Sequence, residues 1–434
     1  MEKTGNKEYY IAEFNKSEQS MNGEASSAIH KLRKKAITKF EELGFPTVKN
    51  EDWKYTDVNP LFNFEFSAGN SSGITKKEAE KFHINGLNEN TVVFVNGIYS
   101  EKLSAIKKQA TGIVIDSLNA VLKNNPELIM EHIGKYALID NGFTALNTAF
   151  AKEGTVIIVP DNSEVKGHIH IINITGEQGK HILTQPRNLI ITGKNSKVNI
   201  IESYHSTNSS ENLVNAVTEA VVGENSTVEI YRLQQENESS YQINRTQAVQ
   251  ARNSVFTHYS VTLGGGIVRN DTNVLLNDEN CTGNLYGLYL TEGKQHVDNH
   301  TLIDHAKPHC QSNEMYKGVL NGSSRGVFNG KVFVREDAQK TNAYQSNKAI
   351  LLTSTATIDT KPQLEIYADD VKCSHGAAIG QLDDEAVFYL RSRGISAEMA
   401  KTVLIRAFAN DIFETIENET FHDHLNNLVF EKLG

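Results

Sequence analysis

Two side chains near the C-terminal end stand at a spacing that can do metal chemistry. In the run Asp369-Asp370-Val371-Lys372-Cys373-Ser374-His375-Gly376, a thiol and an imidazole lie two positions apart. Alternate residues of an extended strand share a face, so Cys373 and His375 are predicted to point the same way. Thiolate and imidazole are soft to borderline ligands that favour iron, zinc or copper(I) over magnesium or calcium. Two ligands do not close a tetrahedral site. The pair therefore reads as half of a metal or cluster site, completed from elsewhere in the chain or by a partner. Set against this is the plainer reading of a buried cysteine as a small hydrophobe and of the histidine as a hydrogen-bonded structural residue.

A second histidine-rich stretch holds His296, His300, His305, His309 and Cys310. Its local pattern is strand and turn. In a strand, His296 and His300 share a face and His305 takes the other, so structural or solvent-facing roles are expected. His168 and His170 share a strand face but lack the spacing of a cupin metal site. No phosphate cradle is present: Gly193-Lys194-Asn195-Ser196 falls short of the Gly-x-x-x-x-Gly-Lys-Ser/Thr loop. Gly264-Gly265-Gly266 opens no helix and is no dinucleotide fingerprint. A Gly-x-Ser-x-Gly elbow is also absent. Any ATP consumption linked to this chain would fall to another subunit.

The elements that position Cys373 and His375 follow from periodicity. From about Gly154 to Val371 the chain runs in short β-branched segments, such as Thr155-Val156-Ile157-Ile158-Val159, separated by polar turns. One turn repeats: Asn162-Ser163-Glu164-Val165, Asn195-Ser196-Lys197-Val198, Asn225-Ser226-Thr227-Val228 and Asn253-Ser254-Val255, with Asn280-Cys281-Thr282 as a fifth copy. The intervals are 33, 30, 28 and 27 residues. A period of this size, carried by strands alone, predicts a β-solenoid whose stacked coils satisfy one another's backbone. An antiparallel sandwich with accidentally similar turns is the competing architecture.

Helical patterns flank this region. Ile29, Leu32, Ala36, Phe40 and Leu43 recur at threes and fours, with Gly44 to end the helix and Pro46 beyond. Residues up to about Gly23 read as a loosely ordered leader or a short extra element. Short strands are predicted at Val92–Val95 and at Gly112–Ile115, and a helical stretch from Pro126 to His132. After Gly376, Asp383 and Asp384 start a helix, Gly394 ends it and Ser396 caps a second. The second helix would carry an apolar stripe of Met399, Val403, Leu404, Ala407, Phe408 and Ile412. A third fits between His422 and Leu433. The predicted units are 1–150, a mixed helical N-terminal module; 151–375, a β-helix core; and 376–434, a helical C-terminal module.

Composition narrows the function. Lys and Arg total 43 against 53 Asp and Glu, a formal net charge of −10, which argues against a general nucleic-acid binder. No apolar run approaches the ~20 residues that span a bilayer, and the first residues lack the apolar core of a signal peptide. Three cysteines, Cys281, Cys310 and Cys373, are too few and odd in number for a disulfide framework. They predict a reducing compartment, taken as the cytoplasm.

The run Ala368–Gly376, followed by Phe388-Tyr389-Leu390-Arg391-Ser392-Arg393-Gly394-Ile395, resembles the C-terminal signature of the SufB/SufD family. These are scaffold subunits of the SUF iron–sulfur cluster assembly machinery. The resemblance extends through Lys361-Pro362-Gln363-Leu364-Glu365-Ile366-Tyr367, Tyr316-Lys317-Gly318-Val319-Leu320 and Gly326-Val327-Phe328-Asn329-Gly330-Lys331. Asn50-Glu51-Asp52-Trp53-Lys54-Tyr55-Thr56 resembles the N-terminal motif typical of the SufD branch. Most of the chain is covered, from about Trp53 to about Phe408.

The resemblance implies a mainly β fold, a right-handed parallel β-helix between helical ends. It implies a non-catalytic scaffold in a complex of SufB, SufD and a pair of SufC ATPase subunits. The β-helices of SufB and SufD would pair, and each C-terminal module would dock one SufC, here through Met399, Val403, Leu404, Phe408 and Ile412. His375 would face a SufB cysteine and act as ligand or proton acceptor for a transient iron–sulfur cluster shared with SufB, with Cys373 as its nearest helper. The scarcity of thiols suits a scaffold that must release its cluster. A SufB-like subunit is the first alternative. A β-helix carbohydrate-active enzyme, using groups such as Asp298, Asp304 and Arg335, is the second. The residues assign no flavin site and do not decide whether the isolated chain forms a homodimer.

Overall fold

Between Thr155 and Gly380 the chain winds into a parallel β-solenoid of about seven coils. The computed structural model describes residues 7–19, 27–71, 73–176 and 181–433. Each coil gives one strand to each of two sheets, so a strand pairs with the strand one coil away. Thr227–Gln235 lies between Lys197–Ser206 and Val255–Thr262. Tyr241–Gln250 lies between Leu213–Val222 and Ile267–Leu276 in the opposite sheet. Inward positions stack from coil to coil, as in Ile169, Ile200 and Ile230, and form the aliphatic core. The solenoid, rather than the sandwich, is the observed architecture.

The repeating asparagine has a backbone cause. Asn162, Asn195, Asn225, Asn253 and Asn280 all adopt the left-handed conformation, with φ between 53° and 59°. Asparagine tolerates this region better than other residues with a side chain. Each amide then donates to the asparagine one coil earlier: Asn195 to Asn162 at 2.8 Å, Asn225 to Asn195 at 3.0 Å, Asn253 to Asn225 at 2.8 Å and Asn280 to Asn253 at 3.1 Å. His309 and Lys340 continue the left-handed turn in the next two coils, with φ of 62° and 63°.

The N-terminal residues cover the outer face of one sheet. The helix Ala28–Leu43 is capped by Ser27 and ends at Gly44, whose φ is 63°. Of the two readings of the stretch up to about Gly23, a loosely ordered leader or a short extra element, the second describes the helix Lys7–Gln19, which buries Tyr10 and Phe14. These rings pack on Phe40, Phe45 and Phe150. Residues 1–6 and 20–23 of that stretch lie outside the described residues. The predicted helix from Pro126 to His132 shrinks to a single 3-10 turn, Pro126–Leu128. Turns carry the chain from there to Gly134, whose φ is 74°. Asn90–Val95 is a wholly buried strand that extends a solenoid sheet beside Glu164–Thr175.

Helices Asp384–Ser392, Ala397–Phe413 and Glu419–Leu433 form the C-terminal layer. Asp383 and Ser396 cap the first two, as the sequence predicts. Ile405, Ala409, Ile412, Phe413, Phe421, Leu425 and Val429 bury against Ile201, Tyr231, Leu233, Tyr259, Val261 and Leu288 on the outer face of the other sheet. The buried face of Ala397–Phe413 is thus rotated from the predicted stripe. Ile412 is buried, Leu404 and Phe408 are half-buried, and Met399 and Val403 are 44% and 40% exposed. No helix among the described residues is long and apolar enough to cross a membrane.

Candidate functional site

Cys373 and His375 sit on the last strand of the solenoid, Lys372–Gly380. Its only strand partner among the described residues is Asn342–Leu351, in parallel register, so its outer edge is unpaired. Cys373 stacks on Ala343 and His375 on Gln345. Ala343 and Gln345 are buried inward positions, so the expected common face of Cys373 and His375 is the inner face of the terminal coil. With no further coil above them, His375 is exposed and Cys373 is half-buried.

The two groups differ in chemistry. Cys373 packs with Val332, Val334, Ala338 and Ala368. Burial raises its thiol pKa above the ordinary value, which keeps it protonated at neutral pH and weakens it as a ligand. His375 meets solvent at the mouth of the coil.

Two residues that the sequence reading did not single out lie behind His375. Gln345 is buried, and its side-chain amide donates to the Glu314 carboxylate one coil deeper. Glu314 is fully buried, and desolvation pushes its carboxyl up to about 7. Oε1 of each side chain lacks a hydrogen-bond partner among the described residues. A register-aligned row of His375, Gln345 and Glu314 therefore leads from solvent into the solenoid. The alternation Ser312, Glu314, Tyr316, which places a carboxyl among inward residues, was the available sequence signal.

The rim of this end is apolar. Tyr344 and Ile379 are each 48% exposed, Tyr367 is 61% exposed, and Ile366 stands beside them. An unpaired strand edge flanked by exposed apolar side chains is a ready surface for another chain.

The remaining candidates are occupied elsewhere. His296 bonds Thr56 at 2.8 Å, His300 pairs with Asp298 at 3.1 Å, and buried His305 bonds Ser312 at 2.9 Å. His309 serves the left-handed turn. His170 bonds Ser203 at 2.8 Å inside the fold. Among the described residues no group of three or more His, Cys, Asp or Glu side chains could hold a metal. Asp298 is bound to Arg269 at 2.8 Å, and Arg335 pairs with Asp304 at 2.7 Å across neighbouring coils.

Residues 170–408 match the family described as SUF system FeS cluster assembly, SufBD core domain, and residues 4–171 match the SufBD protein N-terminal region. The chain is 32% identical over 421 residues to an iron–sulfur cluster assembly SufBD family protein of Synechocystis sp., covering 95% of this chain and 93% of the relative. It is 32% identical over 378 residues to the iron–sulfur cluster assembly protein SufD of Escherichia coli, covering 87% and 86%. A chloroplastic protein of Arabidopsis thaliana is 27% identical over 426 residues, covering 95% and 88%. The solenoid, its helical ends and these matches together make the chain a member of the SufB/SufD family of SUF-system iron–sulfur cluster assembly proteins, with SufD among its relatives.

Proposed function

We propose that this chain is a non-catalytic, cytoplasmic, SufD-like scaffold subunit. It pairs with a SufB-like subunit through the open end of its solenoid and docks a SufC-like ATPase on its C-terminal helices. The observation that carries this reading is the unpaired strand Lys372–Gly380, which bears His375 inside a rim of exposed apolar side chains. A facing strand from a partner would satisfy the free backbone groups and bury that rim.

In this reading the cluster is cargo. His375 supplies one exchangeable nitrogen, as ligand or proton acceptor, beside a thiolate donated by the partner. Neutral imidazole is easily displaced by a proton, which suits a site that must let its product go. Cys373 supports the strand, and its raised pKa makes it the lesser candidate. The working units are 1–150, 151–375 and 376–434. The docking face for the ATPase consists of Met399 and Val403, joined by exposed Phe388 on the preceding helix, with half-buried Leu404 and Phe408 behind them. Ile412 supports that face from within the core.

Co-expression with SufB and SufC of the same source, followed by purification through a tag on this chain and mass measurement, tests the assembly. A complex containing both partners is expected. Replacing both Met399 and Val403 with Asp should release SufC and leave SufB bound. These exposed substitutions are preferable to truncation, which would strip the cover from Tyr231, Tyr259 and Leu288. A tagged chain that emerges alone while SufB and SufC pair without it overturns the reading.

A further inference from the structure

Cys281 and Cys310 lie below the terminal coil, and the proposed scaffold role does not call on them. They occupy one position in successive coils, each directly after the left-handed residue of the turn, Asn280 or His309. Their neighbours Thr282 and Gln311 are paired in register. In the three preceding coils this position is Ser196, Ser226 and Ser254. Each hydroxyl donates to a turn carbonyl: to Pro160 at 2.8 Å, to Gly193 at 2.6 Å and to Ala251 at 2.6 Å. The turn therefore needs only a small side chain with a donor, and serine meets that need. Two consecutive cysteines go beyond it.

The sulfurs are held together. Asp278 O lies 3.1 Å from the Cys281 Sγ and 3.2 Å from the Cys310 Sγ. Paired strands of one sheet run about 4.8 Å apart, inside the ~4.4–6.8 Å Cα separation that a disulfide spans. Both side chains are buried, yet they sit directly beneath the exposed turn residues Asn253, Asn280 and His309. The proximity of the two thiols splits their titration, lowering the pKa of Cys281 and raising that of Cys310.

We infer that Cys281 and Cys310 are a redox-active dithiol that closes into an intramolecular disulfide across two coils, with hydrogen peroxide as the oxidant. The Cys281 thiolate attacks one peroxide oxygen and the O–O bond breaks. Hydroxide leaves and takes up a proton as water, and Cys281 becomes a sulfenic acid. The Cys310 sulfur then attacks the Cys281 sulfur. The S–O bond breaks, and a second water leaves with the Cys310 proton. Two thiols and one peroxide give one disulfide and two waters, and a dithiol reductant restores the pair.

The full-length chain would be treated with hydrogen peroxide, quenched with N-ethylmaleimide and mapped by mass spectrometry without reduction. The expected product is a linked peptide pair containing Cys281 and Cys310, two hydrogens lighter, both thiols being lost together and recovered with dithiothreitol. Cys310→Ser places in this turn the residue its neighbours already use, and circular dichroism checks that it folds. In that variant Cys281 should yield a sulfenic acid trapped by dimedone and no linked peptide. The inference is overturned if both thiols of the wild-type chain stay reduced in tenfold peroxide excess, or if they oxidise separately to sulfinic acids without the link.

Discussion

Arg269 lays its guanidinium 3.9 Å from the centre of the Trp53 ring. The same group donates to the Asp52 carbonyl at 2.6 Å and to the Asp298 carboxylate at 2.8 Å. Thr56 completes the knot by donating to Asp298 at 2.5 Å. The N-terminal motif around Trp53 is thus a clamp that fastens the first module to the middle of the solenoid. Burial alone would raise the Asp298 carboxyl, but His300 and Arg269 hold it well below the usual carboxylate range.

Arg269→Met should be among the most damaging single substitutions in the chain. It leaves Asp298 buried without its cation and removes the plate beneath Trp53, a loss of about 3–5 kcal/mol. Adding Asp298→Asn should recover part of that loss. Denaturant unfolding of the single and double variants decides it, and a single-variant cost below ~1 kcal/mol would discard the clamp.

The asparagine ladder stops at His309, which holds the same left-handed conformation but carries no side-chain amide to donate to Asn280. His309→Asn should extend the ladder by donating to Asn280 and stabilise the chain by about 0.5–1 kcal/mol. Asn225→Ala should cost about 1–2 kcal/mol, and Asn225→Gly less, because glycine keeps the backbone conformation. Thermal unfolding of the three variants would refute the account if Ala and Gly at 225 proved equal.

Glu314 gives the fold a pH dependence. Its folded-state carboxyl is raised to about 7 from an ordinary value near 4.5. Between those values the folded chain holds a proton that the unfolded chain has lost, so stability falls as pH rises. The favourable contribution is complete below the ordinary value and is gone above about 7. Glu314→Gln should remove on the order of 3 kcal/mol of the decline between about pH 5 and pH 8. Buried Glu236, raised to about 8, is present in both proteins and cancels in the comparison. Identical pH profiles would remove Glu314 from the explanation.

His375→Ala should leave the unfolding midpoint within about 0.5 kcal/mol of the original, since the side chain is exposed. In the assembled complex, iron and acid-labile sulfide per mole should drop on the order of tenfold, the scale seen when a ligand shell loses a member. Cys373→Ala should have the smaller effect. Unchanged cluster content in the His375 variant would take that residue out of the site.

What the sequence disclosed followed from local rules. Left-handed turns favour asparagine, so the solenoid announced itself through Asn162 to Asn280. A period of two put Cys373 and His375 on one face. Caps at Asp383 and Ser396 located the C-terminal helices. What stayed hidden depended on packing between distant residues. Gln345 and Glu314 meet His375 only because coils about 30 residues apart are stacked. Met399 and Val403 are as apolar as the core face of their helix, so composition alone set the stripe wrongly. Tyr10 and Phe14 find their role only through contact with Phe40 and Phe150.

The unpaired edge of Lys372–Gly380 also bears on how much of this protein a cell can hold. A solenoid carries no geometric instruction to stop: each coil templates the next, and only the arrival of a different surface ends the series. In the proposed assembly, copies made in excess of their partner would keep that template uncovered and be prone to pair with themselves or aggregate. Under the proposed function, matched synthesis of the subunits would be a requirement written into the last coil.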